Sequence, residues 1–426
     1  MKMKPMLWLT ALALLPAAAV PALAQPQPVG AEFRVNGNVE SKQRNPVAAF
    51  NAAGSSLVVW ENDKNGLRAR LYGRDGAPLT DELGLVANQT LTTIPSHGIE
   101  VLRKDPAVAF LPSGELLMAW TQERDDVSVD VFIEHRTVLD RDVYAQKFTA
   151  AGAPEGTAVR LNTTTAGFQS QPKILVRNGG DAMVVWQSDD QTTATAGDGI
   201  FGRMVHPATG QPSSAEMKLS SVSGLAANVG IAGSPNGGFA VTWEAADANS
   251  QGVFVRLFGK MAAPQGAEFR VNTTVSGLQR RPAIAADPNA GGWLVVWQGQ
   301  AGPSVKVSHI YGQFLGAAGN FIGPEFRVAQ GVAQAQVSPS VAVVAGGHFL
   351  VTWLDYQDWF PVGLFAVETD KLGRAVGSEV KINSSGIGSQ TRTSIAVSPF
   401  GLVLLPWEGY TAGPNAPVIS ARRIQL

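Results

Sequence analysis

An all-β fold, a seven-bladed β-propeller of four-stranded antiparallel blades, is predicted by two observations. Seven times a short apolar run ends in tryptophan, at Trp60, Trp120, Trp186, Trp243, Trp297, Trp353 and Trp407, at intervals of 60, 66, 57, 54, 56 and 54 residues. Each interval holds a small sheet and is too short for a domain. Between these runs lie strand-length segments rich in Val, Ile, Phe and Tyr, separated by Gly, Pro, Asn and Ser clusters, and nowhere does a helical spacing persist for three turns.

The unit that begins near Arg281 shows the four strands in order: PAIAAD, GWLVVW, HIYGQFL and PEFRV. Its second strand is apolar on both faces, as is Leu57-Val58-Val59-Trp60 in the first unit, so it must be covered on both sides. Blades packed face to face meet that demand, and the tryptophans are expected to fill the gaps between them. The third strand carries Arg70, Gln146, Arg203, Arg256, Gln313 and Arg422 at one place, with Val367 the exception. Pairing of these planar heads with Glu32, Glu216, Glu268, Glu325 or Glu379 on the outer strand is expected, as a structural feature.

The outer strand recurs seven times, and its phase carries the most information. The chain's first copy, Glu32 to Asn36, precedes any inner strand, whereas the chain ends on a third strand, Val418 to Ile424. The N-terminal outer strand should therefore join the C-terminal blade and close the ring. Pro406, one residue before Trp407, removes a ladder bond, so distortion is expected in that blade.

Residues 1–24 read as a secretory signal, with Lys2 and Lys4, an apolar stretch from Met6 to Val20, and Ala22-Leu23-Ala24 before Gln25. Cleavage after Ala24 would leave 25–426 as one propeller domain, secreted or periplasmic, that does not span a membrane. Removal of the signal leaves 31 Lys plus Arg against 34 Asp plus Glu, a charge of −3, which argues against nucleic acid as a partner. With no cysteine there is no disulfide, thiolate metal site or cysteine nucleophile. The five histidines form no metal-binding pair, and no G-x-S-x-G, phosphate loop or H-E-x-x-H occurs.

Variation concentrates in the segment after each tryptophan and in the connection from each outer strand to the next unit. Both lie on one face of an up-and-down ring, which marks that face as the binding surface. Five units place glutamine just before the innermost strand, at Gln43, Gln169, Gln279, Gln336 and Gln390, while Arg103 and Ala227 take the place in the other two. Such amides either bind a ligand at the channel mouth or tie a loop to the neighbouring backbone, and the structural role is the expected one. In the acidic insertion Thr121 to Asp142, Asp125, Asp126 and Asp130 are candidates for a metal such as calcium, although a solvated acidic loop is the default and the spacing fits no known calcium loop. In Asp355-Tyr356-Gln357-Asp358-Trp359, the acids and an exposed ring suit sugar binding.

The pattern E-F-R-V-N-T-T, Q-x-x-P-x-[VI]-A, G-G-[FW]-x-V-x-W and I-[YF]-G-[QR], read from Glu268 to Gln313, resembles repeats of large secreted bacterial proteins, RTX-type and adhesin-like ones among them. The resemblance implies an exported propeller and lends no catalytic residue; the RTX nonapeptide itself does not occur. On these grounds the expected function is a monomeric exported binding or scaffold protein, without a catalytic role or a required cofactor, that recognises a glycan or an envelope or extracellular protein through its variable loops. The alternative is a secreted carbohydrate-active enzyme, a hydrolase or lyase, with carboxylates at the channel mouth.

Overall fold

The computed structural model describes residues 26–426 except 38–40, 95–96, 131–132, 166, 178–179, 190–197, 222–225, 248–249, 290, 301, 303–306, 332–334, 358–359, 385–391 and 411–416. The expected secretory signal, Asp358, Trp359 and Gln390 lie outside the described residues. Five four-stranded antiparallel sheets and one nine-stranded sheet make up the fold. The nine-stranded sheet contains two tryptophan-bearing strands, Leu116–Asp130 and Ala182–Asp189. Its two halves are joined by one parallel residue pair, Phe168 with Arg141. The seven tryptophan-bearing strands mark units 1 to 7 in chain order.

Burial of the tryptophans explains the order. All seven indoles are at most 1% exposed. Each packs against the preceding unit: Trp120 sits among Leu57 and Val59 of unit 1, Trp243 among Met183 and Val185 of unit 3, and Trp353 among Leu294 and Val296 of unit 5. Trp60 closes the cycle against Leu404, Ile419 and Ala421 of unit 7. Truncating one such ring to alanine removes about 3 to 5 kcal/mol of packing.

The innermost strands meet around a central channel, and all but the last run for eight residues or more, as in Gln43–Phe50 and Gln279–Ala286. In unit 7 the inner strand is reduced to Ala396–Val397. It pairs with Leu404 and Val403, and Pro406, which has no N–H to donate, interrupts the inner ladder, which resumes as a bridge between Thr393 and Trp407, while the pairing on its other side runs on unbroken. The N-terminal strand Gln27–Arg34 pairs antiparallel with Pro417–Gln425, so the first outer strand completes the last blade. Asn36 reinforces the closure by accepting the Ile419 N–H at 2.8 Å.

Outer-strand glutamates and third-strand arginines do not pair with each other in the way the sequence suggests. Arg70 donates to the carbonyls of Thr80 and Val35, Arg203 to those of Ser214 and Leu161, and Arg256 to those of Gly266 and Leu219. Each of these heads thus ties the turn before its own outer strand to the residue just after the outer strand of the preceding unit. The glutamates accept backbone N–H groups just beyond that preceding strand: Glu325 takes Thr273 at 2.7 Å, Glu268 takes Ser221 at 2.6 Å and Glu32 takes Ser384 at 3.0 Å. Carbonyls and amides at strand ends need partners wherever they lie, and two ionic heads serve two different sets of them.

Deleting residues through Asn36 exposes the edge of Pro417–Gln425 and removes the Glu32 and Asn36 bonds across the seam. The truncated protein is expected to melt lower and aggregate. Removing residues 127–136, a paired stretch at the end of one hairpin, is expected to be far milder. Thermal melts compare the two, and equal melting of the truncated and full chains would show that the seam contributes nothing.

Candidate functional site

The innermost strands are not regular. In six of them the register slips once, and the residue at the slip adopts a left-handed backbone: Asn45, Asp105, Gln171, Asn228, Arg281 and Ser338, with φ of 49° to 55°. Five of the six precede proline. A bulge of this kind re-aims a side chain at a cost on the order of 1 to 3 kcal/mol for a non-glycine residue. Together with Arg392 of unit 7 these six residues line two cavities of about 140 and 280 Å³ in the channel, which share Gln171, Lys173, Arg392 and Thr393.

What holds the bulges is a second inter-unit ladder. The N–H of five of the six bulged residues is donated to the side chain that follows the tryptophan of the preceding unit: Gln171 to Thr121 at 3.1 Å, Asn228 to Gln187 at 3.1 Å, Arg281 to Glu244 at 2.6 Å and Asn45 to Glu408 at 3.4 Å. Asp105 donates to Glu61 in the same way. Glu61, Glu244 and Glu408 are all at most 8% exposed and stand beside the channel as buried acceptors.

Among these, only Glu61 accepts from a bulged residue that is itself an acid. Burial first, and then the Asp105 charge, push its carboxyl up from 4.5 to about 7. Asn45 donates its amide to Glu61 and reaches Asp105 at 3.5 Å, so the two carboxyl groups share one donor. Thr121 donates to the other Asp105 oxygen at 3.1 Å, and Arg392 stands 3.9 Å from Asp105 across the lumen. Both bonds to Glu61 fall on Oε1, which leaves Oε2 to carry the proton of the neutral form.

Glu61 also lines a cleft of about 660 Å³ between unit 1 and an extension of unit 2. The expected acidic loop at Thr121 to Asp142 is instead part of a β-ribbon: His97–Phe110, Leu116–Asp130 and Ile133–Phe148 run on past their blade, flanked by Gln89–Ile94. Its acids are matched by bases, Asp126 with His97 at 3.1 Å, Arg124 with Asp140 at 3.2 Å and Arg136 with Glu100 at 2.7 Å, while Glu123 binds both Lys104 and Arg141. Asp125 lies 3.6 Å from Arg136, and burial, followed by the Glu123 charge, raises its carboxyl above the usual range. As strand neighbours Asp125 and Asp126 face opposite sides of the ribbon. Among the described residues no three acid or histidine side chains gather around a point where a metal ion would sit, and the side chain of Asp130 is not described. The cleft is lined by six basic residues, Lys42, Arg44, Lys64, Arg103, Lys104 and Arg136, against three acids, Glu61, Asp63 and Glu100.

The glutamines stand one step behind this site. Gln43, Gln169 and Gln279 are at most 1% exposed and accept the indole N–H of Trp60, Trp186 and Trp297 at 2.7, 3.1 and 2.9 Å. They fix the tryptophan of their own unit, where a tie to the neighbouring blade was expected. Gln336, also buried, contacts His309 at 3.3 Å. In unit 4 the matching position is Ala226, paired with Ala245, and not Ala227; there and in unit 2, where Arg103 stands, the indole N–H groups of Trp243 and Trp120 have no acceptor. Asp355 and Tyr356 belong to the strand Phe349–Gln357, where burial pushes Asp355 up to about 6 and Tyr356 packs half-buried against the core between units 6 and 7, so this ring is not the exposed stacking platform expected of a loop. Sequence reasoning missed the bulged residues, although the proline after five of them marks the place.

No family model and no curated protein matches the chain, so the likeness to RTX-type and adhesin-like repeats finds no support there. Solved structures do share the fold. An ulvan lyase described as a new polysaccharide lyase family aligns with a TM-score of 0.56 at 9% identity, covering 91% of this chain and 97% of that one. A sialidase from Streptococcus pneumoniae aligns at 0.51 and 7% identity over 82% of this chain and 70% of that one. A protein of unknown function from Dyadobacter fermentans aligns at 0.53 and 10% identity over 80% and 98%. At such identities the likeness carries the fold and no residue. The expectation of a protein without catalytic role is corrected by these likenesses, since both of the named neighbours of stated activity, a sialidase and a polysaccharide lyase, are enzymes.

Glu61 makes stability depend on pH with a definite sign. The folded chain keeps a proton that the unfolded chain releases above about 4.5, so the group's contribution is complete below that value and is lost as pH rises through 7. Melting temperature is expected to fall between about pH 5 and 8, with Asp355 adding to the lower part of the fall. Glu61→Gln, which keeps the acceptor oxygen, should flatten the upper part. An unchanged slope in melts of that variant would place the proton elsewhere.

Proposed function

We propose that this protein is a carbohydrate-active enzyme that cleaves glycosidic bonds, by hydrolysis or elimination, at the channel mouth where the unit 2 ribbon overhangs unit 1. The observation that carries the reading is Glu61, a buried carboxyl that exchanges its proton near neutral pH beside Asp105, in the wall of a cleft large enough for a sugar chain. A group poised in that range gives a proton to a departing glycosidic oxygen or takes one from a sugar carbon. Asp105, held by Thr121 and facing Arg392, supplies the neighbouring charge. Fold neighbours that act on glycans support the choice of substrate, and the secretory signal read from residues 1–24 supports action outside the cytoplasm. The six cations of the cleft favour glycans bearing acidic groups. One fact weighs toward structure: Glu244 and Glu408 fill the same place in their units as bulge acceptors.

The test is a panel of neutral and acidic polysaccharides, with new reducing ends reporting any cleavage and ultraviolet absorbance of an unsaturated product marking elimination. Glu61→Gln is expected to lower turnover about a hundredfold or more while circular dichroism stays native. Turnover should rise and fall around a limb near pH 7 set by Glu61. Cleavage undiminished in the variant, or none of any glycan by the parent, would overturn the reading.

A further inference from the structure

The channel beyond Asp105 has a different character from the cleft. Its 280 Å³ cavity is lined from units 3 to 7, and its charged residues are Lys173, Arg281 and Arg392, with no carboxylate in the lining. Gln171, Asn228 and Ser338 add neutral donors around them. The bulges create this composition, since they turn Gln171, Asn228, Arg281 and Ser338 toward the lumen. Both guanidinium groups are held in place, Arg281 by Ser338 at 2.7 Å and Arg392 by Asn45. Of the acids nearby, Glu244 accepts the Arg281 N–H, and Asp105, which takes the Thr121 hydroxyl and stands 3.9 Å from Arg392, lies outside this lining.

We propose that this lumen seats one oxyanion group, a sulfate or a carboxylate, between Lys173, Arg281 and Arg392. Three cations that line one small polar cavity repel one another, the Asp105 charge beside Arg392 offsets only part of this, and planar guanidinium groups match the oxygens of either group in pairs. Lys173 feels this lack. It keeps accessible surface in the lumen, yet enclosure by protein holds its ammonium below the usual lysine range, and Arg392 lowers it further while Asp105 offsets only part. The anion is either free in solution or a pendant group of an acidic sugar. The site does not depend on Glu61 being catalytic.

Isothermal titration of the full chain at low ionic strength, with sodium sulfate, sodium glucuronate and glucose as separate probes, tests the proposal. Sulfate, glucuronate or both should bind saturably at one site, and glucose should not. Lys173→Gln, at a side chain that holds no other element, should weaken binding about tenfold, as should Arg281→Gln, while Glu61→Gln leaves it intact. Binding of glucuronate identifies a sugar acid as the source; where sulfate alone binds, tighter binding of glucose 6-sulfate identifies a sugar sulfate and weaker binding a free inorganic anion. Absence of saturable binding by both anions, equal binding of glucose, or full affinity in Lys173→Gln would overturn the proposal. Anion binding without glycan cleavage would leave this site standing and the enzyme reading fallen; cleavage without anion binding would do the reverse.

Discussion

One hydrogen bond, repeated around the ring, decides what the channel contains. The N–H of a left-handed residue on five of the innermost strands crosses to the side chain after the neighbouring tryptophan, as from Arg281 to Glu244 and from Gln171 to Thr121. A regular strand would keep its ladder and send alternate side chains into the sheet packing. The slip breaks the ladder at one residue, frees that N–H, and turns the side chain into the lumen. The acceptor must then be buried and polar at a place where the rest of the strand is apolar, which is why Glu61, Glu244 and Glu408 sit at the ends of otherwise hydrophobic runs. Chemistry at the channel mouth is thus a by-product of how the inner strands are tied together, altered wherever one unit departs from the common pattern.

The departure that matters is Asp105. In units 1 and 5 the bulged residue is Asn45 or Arg281, and its N–H meets a glutamate without adding a second negative charge. In unit 2 the bulged residue is itself an acid, so the acceptor Glu61 loses solvent and gains a like charge together. Desolvation of a carboxyl and a neighbouring carboxylate both favour the protonated form, and the amide of Asn45 offsets only part of that. A structural acceptor becomes a proton carrier through one change of residue on the adjacent strand.

Most of the architecture was legible in the sequence because it rests on periodicity. Tryptophans that end doubly apolar runs imply sheets covered on both sides, and the phase of Glu32 to Asn36 implies closure; the pairing of Gln27–Arg34 with Pro417–Gln425 and the packing of Trp60 on unit 7 follow from those two patterns. The site was far less legible. Glutamine three residues before proline drew attention to Gln43, Gln169 and Gln279, yet the functional position is the residue just before that proline, two further on. Pattern gives the offset between them but not the direction of the side chains, because a bulge shifts every later residue to the other face. The buried glutamines answer a different need, the indole N–H beside them. The ribbon in unit 2 was hidden for a related reason: alternating acids and bases read as a solvated loop, whereas across paired strands the same residues neutralise one another, as Glu123 does with Lys104 and Arg141.

A ring of similar units offers no reason for one place on it to differ, so function requires that the equivalence be broken. Unit 2 breaks it twice. Its strands outgrow the blade and build one wall of the cleft, with Arg103, Lys104 and Arg136 facing Lys42, Arg44 and Lys64 from unit 1. Its bulge carries Asp105, which acts on Glu61 in the opposite wall. The two changes meet at the same inter-unit boundary, so the protonatable carboxyl stands beside a cleft rich in basic residues, while the remaining units line the cavity beyond it with neutral and cationic side chains. Because both changes are local to one unit, neither disturbs the tryptophan packing that holds the other six, and the scaffold's stability is separated from the chemistry it carries.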